Sequence, residues 1–148
     1  MSDLPALVDR FWSTLYRRDW DELAALLAPD VFYEDVSAPD TGAVGRDSVI
    51  RRLRIGFDPV ESHDHEVHHV ATGEGLVMIE HTETWHFDAD HTVVLPFVSV
   101  MEVDDHGLIS RWSDYWNLDT LLGQAPEWWV THIMEEYERD PFTGPSTP

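Results

Sequence analysis

The chain has 148 residues and no cysteine, and its 29 Asp+Glu against 9 Lys+Arg give a formal charge of -20. That charge repels nucleic-acid phosphates and anionic lipid surfaces, and the lack of cysteine removes disulfides, thiolate metal sites and a cysteine nucleophile. The first residues lack the basic and apolar regions of a leader and no stretch approaches the roughly 20 apolar residues of a membrane span. One soluble, cytoplasmic domain over residues 1–140 is therefore expected, with 141–148 as a disordered tail.

Leu4, Leu7, Val8, Phe11, Trp12 and Leu15 recur at helical spacing, so residues 5–17 read as an amphipathic helix. Asp19 and Glu22 stand at the capping-box offset before Leu23, Leu26 and Leu27, which predicts a short second helix ending near residues 28–30. Residues 31–36 alternate as a short strand, with Val31, Tyr33 and Asp35 on one side. A Gly/Pro-rich loop follows over 37–45, and Asp47 is placed to cap a third helix over 48–54. Residues 65–71, 75–87, 92–103 and 108–117 are rich in Val, Ile, Thr and Trp and separated by short turns, as in an antiparallel meander. Pro126 opens a last helix over 127–138, whose adjacent Trp128 and Trp129 are expected to cap either a cavity mouth or a second copy of the chain. Helices first and strands after describe an α+β domain whose curved sheet wraps the helices.

Two of the strands carry an anomaly. In the first, one face reads Val77, Ile79, His81, Glu83, Trp85 and Phe87, so a base and an acid interrupt an apolar stripe. In the second, Asp114 lies between Trp112 and Trp116 on one face. Buried without partners, such groups cost several kcal/mol. If both faces turn into one concavity, His81, Glu83 and Asp114 converge there, with Tyr33 and Asp35 arriving from the short strand. Like charges in a dry pocket push one pKa up, which is how a site comes to hold an acid beside a base.

The run Glu80-His81-Thr82-Glu83, the run Trp112-Ser113-Asp114-Tyr115 and the triplet Tyr33-Glu34-Asp35 resemble the Glu-Arg-x-Asp, Trp-x-Asp-Tyr and Tyr-x-Asn elements of limonene-1,2-epoxide hydrolases. These belong to the NTF2-like group of cone-shaped (cystatin-like) folds, together with ketosteroid isomerases and polyketide cyclases of the SnoaL type. The resemblance implies a strongly curved, mixed but mainly antiparallel sheet around N-terminal helices, with an extra C-terminal helix. It also implies one-step hydration of a small apolar epoxide without cofactor or metal. Asp114 would take a proton from water held by Tyr33 and Asp35, Glu83 would protonate the epoxide oxygen, and His81 would bridge the two carboxyls where the family has arginine. Trp12, Leu15, Trp85, Phe97 and Trp116 would wall the substrate.

Only the middle element matches residue for residue. His81 can lose its charge where arginine cannot, Glu83 is a methylene longer than the family's aspartate, and Asp35 removes the donors of an asparagine. The triplet Glu34-Asp35-Val36 also resembles the Glu-Asp-Pro base element of ketosteroid isomerases. However, Phe11 stands where their oxyanion-hole tyrosine belongs, and neither Val98 nor Ser99 supplies their acid. Isomerase, cyclase or dehydratase chemistry through Asp35, His81 or Asp114 is the competing reading, and a small-molecule binding or dimerisation module is the non-catalytic one. A homodimer through the outer face of the sheet is expected. His63, His65 and His69 fall on one face of their strand and His68 on the other, with no second ligand set for a functional metal.

Overall fold

The computed structural model describes residues 3–140 and 142. α1 (Leu4–Tyr16) is capped by Asp3, whose side chain accepts the Ala6 amide at 3.2 Å, and it turns Val8, Phe11, Trp12 and Leu15 inward. α2 (Trp20–Ala25) has the expected cap, the Asp19 carboxylate accepting the Glu22 amide at 3.1 Å. The Glu22 carboxylate binds Arg10 and Arg17 instead of reaching back to close the box.

α2 stops earlier than expected because Leu27 already pairs with Ile109, so β1 (Leu27–Asp35) begins four residues before its alternation does. Pro29 lies where the register slips between Leu27 and Phe32, the kind of irregularity that lets a strand carry proline. The expected loop over 37–45 contains a two-residue strand, β2 (Ala43–Val44), paired with Phe32 and Tyr33. Gly42 precedes it at φ 82°, and a Cβ there would come within 2.5 Å of the Tyr33 carbonyl oxygen, so the approach of these strands needs glycine.

α3 (Arg46–Phe57) starts before and ends after its expected limits. Gly45 caps it, and Asp47 instead sits in the first turn, where its charge complements the helix dipole. Then come β3 (Ser62–Gly73), β4 (Leu76–His86), β5 (Thr92–Val103) and β6 (Ile109–Tyr115). The sheet order is β2-β1-β6-β5-β4-β3, with β1 parallel to β6 and every other pair antiparallel. The meander is thus as expected, and the parallel β1–β6 pair makes the sheet mixed as it curls around the helices.

Asn117, expected to end a strand, instead caps α4 (Leu118–Leu122) by accepting the Thr120 amide at 2.8 Å. α5 (Glu127–Arg139) follows Pro126 as expected. Phe142 falls in the expected disordered tail but is buried, edge-on to Tyr137 at 4.8 Å, and its carbonyl accepts the Val44 amide. Residues 141 and 143–148 lie outside the described residues. Among the described residues no helix is long and apolar enough to cross a membrane.

Candidate active site

A cavity of about 620 Å³ is lined by members of both hydrophobic clusters, the larger one around α1, β1 and β6 and the smaller one around β5, α4 and α5. Its chemistry begins with strand register. Asp35 on β1 pairs with Asp114 on β6, and Asp114 pairs with Ser99 on β5. Directly opposed residues share a face of the sheet, so these three polar side chains form one row in an otherwise apolar surface.

Asp114 is 3% exposed and receives three donors. Ser99 Oγ and Trp112 Nε1 donate to Oδ1 at 2.5 and 2.6 Å, and the Tyr33 hydroxyl lies 3.3 Å from Oδ2. The same hydroxyl is 2.9 Å from Asp35 Oδ1, so one phenolic proton stands between two carboxyls. Burial, then the Asp35 charge, push Asp114 well above the usual carboxylate range, and the donors from Ser99 and Trp112 oppose them. Burial likewise raises Tyr33 above an ordinary phenol, and it stays protonated.

Asp35 also accepts Trp116 Nε1 at 3.0 Å and is bound by Arg52 at 3.0 Å. Arg52, only 2% exposed, also holds Asp40 through both terminal nitrogens, so its one charge is divided between two carboxylates. Sequence reasoning missed it. Its signal was helical spacing: Val49, Arg52 and Leu53 are the buried face of α3.

Glu83 lines another part of the cavity, 4% exposed, and accepts Trp85 Nε1 at 3.1 Å. Burial pushes it up to about 7. Burial, then the charge and hydrogen bonding of Glu83, raise Tyr16 above an ordinary phenol, so its hydroxyl faces the Glu83 carboxyl, although no hydrogen bond of ordinary length to it is formed among the described residues.

His81 does not bridge the carboxyls as expected. It is fully buried, with Nε2 2.7 Å from Ser99 Oγ and Nδ1 2.9 Å from His65 Nε2, so it reaches Asp114 through serine and does not reach Glu83. Its neighbours explain this: Trp12 and Phe97 pack on the ring at 4.7 and 5.3 Å and hold it away from the cavity. Burial lowers His81 to about 3, leaving a neutral imidazole.

The five expected wall residues, Trp12, Leu15, Trp85, Phe97 and Trp116, all line the cavity. Trp129 joins them, packed 5.5 Å from Trp85, while Trp128 is half exposed. His63 stacks on Phe57 at 4.4 Å in the wall, and burial lowers it to about 3. His69 does not join His63 and His65, because a bulge between Val67 and His69 turns it outward to Glu80 while His68 meets Thr82. Among the described residues no group of three or more metal-ligating side chains is gathered.

Residues 8–112 match the model of the SnoaL-like domain. The chain belongs to the SnoaL-like family. The matched span ends two residues before Asp114, so the carboxyl of the β6 stripe lies just outside it. A limonene epoxide hydrolase-like (LEH-like) epoxide hydrolase of Mycobacterium tuberculosis is similar in structure, with 24% identity over 91% of this chain and 95% of that one and a TM-score of 0.67. A Shewanella putrefaciens protein described as a SnoaL-like polyketide cyclase aligns at 17% identity over 84% and 96%, TM-score 0.75. One from Kribbella flavida described as a ketosteroid isomerase aligns at 30% identity over 76% of both chains, TM-score 0.63. The sequence matches no curated protein. The fold is thus the NTF2-like fold expected, in a group that includes hydrolases, cyclases and isomerases.

Proposed function

We propose that the protein adds water to a small apolar epoxide, giving a vicinal diol in one acid/base step. What supports this reading is the meeting of two desolvated carboxyls, Asp114 and Glu83, on one aromatic cavity, both raised by burial above the usual carboxylate range, with the Glu83 charge raising Asp114 further. Such a pair loses its protons in two separate steps, and between them it holds one acid and one base. Asp114 is assigned the base because Ser99 and Trp112 donate to it and it stands beside Tyr33 and Asp35, where water can be held, and Glu83, pushed up to about 7 by burial, is assigned the acid. Water rests against Tyr33, Asp35 and Asp114. As its oxygen bonds to an epoxide carbon, Asp114 takes its proton, the carbon–oxygen bond of the ring breaks, and Glu83 protonates the departing oxygen. His81 contributes through Ser99 and touches neither reactant.

Product analysis with cyclohexene oxide and limonene oxide tests this. Diol from the wild type and none from Asp114→Asn is the expected result; no diol from the folded wild type overturns it. One observation favours a second reading. A protonated Asp114 beside the Tyr33 hydroxyl would place two donors at one point, as an enolate oxygen requires. In that case Asp35 or Glu83 moves the proton, and isomerisation of an enone, lost in Asp35→Asn, is its test. The expected homodimer is checked by sedimentation of the full chain.

A further inference from the structure

Asp114 meets the cavity wall with one oxygen and the interior with the other. Oδ2 faces the Tyr33 hydroxyl, whereas Oδ1 opens a second path through Ser99 Oγ at 2.5 Å, His81 Nε2 at 2.7 Å from that hydroxyl, and His65 Nε2 at 2.9 Å from His81 Nδ1. Ser99 and His81 are fully buried, and neither they nor His65 line the cavity. His65 is partly exposed on the edge strand β3, and its Nδ1 has no partner among the described residues and is not sealed from solvent.

We infer that Ser99, His81 and His65 form a proton path joining Asp114 to solvent by a route separate from the ligand cavity. The inference rests on the hydration reading for its use, since there each turnover leaves a proton on Asp114 and takes one from Glu83, and the path returns the Asp114 proton to solvent while the diol still fills the cavity, Glu83 being reprotonated from solvent once the diol leaves. The path itself is a property of the resting protein.

Each link is amphoteric, because a hydroxyl and a neutral imidazole each offer one donor and one acceptor. With Asp114 ionised, His65 Nε2–H donates to His81 Nδ1, His81 Nε2–H donates to Ser99, and Ser99 donates to Asp114. When His65 Nδ1 takes a proton from solvent, each donor passes its hydrogen to the next acceptor. The result is a protonated Oδ1, both histidines as Nδ1–H tautomers, and no imidazolium left behind. A proton received at Oδ2 enters the path once the carboxyl turns about its Cβ–Cγ bond to present it to Ser99, and the reverse passage then returns it to solvent. Neutrality of His81 is essential, for an imidazolium has no acceptor nitrogen. Burial, then His65 and His68, hold it neutral, and burial lowers His65 in the same direction. The other groups facing the path are Asp35 and Tyr33 from β1 and Glu83 from β4 at Asp114, and Trp12 and Tyr16 from α1 at the histidine rings. A merely structural pair of histidines needs only one fixed arrangement of protons. A relay needs two.

That difference is measurable in the full chain. Nitrogen NMR of labelled histidine side chains reads the tautomers while carboxyl carbon shifts follow Asp114. His65 and His81 are expected to switch together at the Asp114 midpoint, and to stop switching in Asp114→Asn. Ser99→Ala uncouples His81 from the titration, and Ser99→Thr, which keeps the hydroxyl, restores the coupling. A single unchanging His81 tautomer across the Asp114 titration of the wild type overturns the path. With an epoxide that is turned over, His65→Phe lowers kcat roughly tenfold at unchanged KM, enlarges the solvent isotope effect, and is rescued by added imidazole. A wild-type rate and isotope effect in that variant also overturn the path. If the wild type turns over no epoxide, the hydration reading fails while the tautomer measurement still decides the path.

Discussion

The two buried carboxyls of the cavity are desolvated to a similar degree but supported very differently. Asp114 is met by Ser99, Trp112 and Tyr33 and by a row of polar residues crossing three strands, whereas Glu83 has Trp85 and the facing Tyr16 hydroxyl. Burial opposes charge at both. At Asp114 that opposition is answered by Ser99 and Trp112, at Glu83 by Trp85 and Tyr16, and only Asp114 also stands in a row of polar partners, a difference that the proposed reading assigns to base and acid.

The sharpest way to break this comparison is to remove the charge at each carboxyl without changing its shape. Asp114→Asn leaves the donors of Ser99, Trp112 and Tyr33 facing an amide, and kcat for diol formation is expected to fall about 10²- to 10⁴-fold, the usual range for a lost acid or base. Removing the support of the Asp114 wall is the next test. Arg52→Leu strands Asp35 and Asp40 without their cation, and leaving a buried charge uncompensated costs about 3–5 kcal/mol. A urea midpoint within error of wild type would show that Arg52 does not hold that wall together.

Much of this arrangement was legible in the sequence. The stripes Val77 to Phe87 and Leu108 to Trp116 displayed Glu83 and Asp114 as acids on apolar faces, because a strand's period is fixed at two. The partners were not legible, since they depend on register, which the sequence does not print. Nothing local says that Asp114 stands opposite Ser99, or that His65 stands across from Glu83 and within reach of His81. His81 was assigned to the wrong partner for the same reason: it lies on the inward face as read, but Trp12 and Phe97 close over it. Arg52 hid among Arg51 and Arg54, although its spacing from Val49 gave its direction. The ends of β1 and α3 were misjudged where Leu27, Pro29 and Gly45 take roles set by their partners rather than by propensity.

The Glu83 wall has its own signature in stability against pH. Its ordinary pKa of 4.5 rises to about 7 on folding, so the folded state binds more protons than the unfolded state between those values. Stability must therefore fall as pH rises from about 4.5 to about 7 and level off above, and a shift of this size corresponds to roughly 3 kcal/mol. Asp114 acts in the same direction, so the slope does not vanish in Glu83→Gln, but it is expected to shrink by about that amount. Denaturation series at pH 5 and pH 8 for both proteins measure it, and equal slopes would place Glu83 in contact with a cation or with water.

The smallest expected effect tests the donor count directly. Trp85→Phe keeps the aromatic wall and removes the indole donor to Glu83, leaving the facing Tyr16, whereas Trp112→Phe removes the indole donor to Asp114 and leaves Ser99 and the Tyr33 hydroxyl shared with Asp35. A hydrogen bond to a charged group contributes about 1.5 kcal/mol at the low end, which is roughly one pKa unit. Glu83 should therefore rise by about one unit in Trp85→Phe, moving the alkaline limb of the pH–rate profile upward. In Trp112→Phe the shift of Asp114 should be smaller, because Ser99 and Tyr33 remain and can draw closer. Carboxyl carbon NMR reads both shifts in the same samples. If Trp112→Phe moves Asp114 more than Trp85→Phe moves Glu83, the donors on Asp114 do not substitute for one another, and the two walls differ in geometry rather than in the number of their supports.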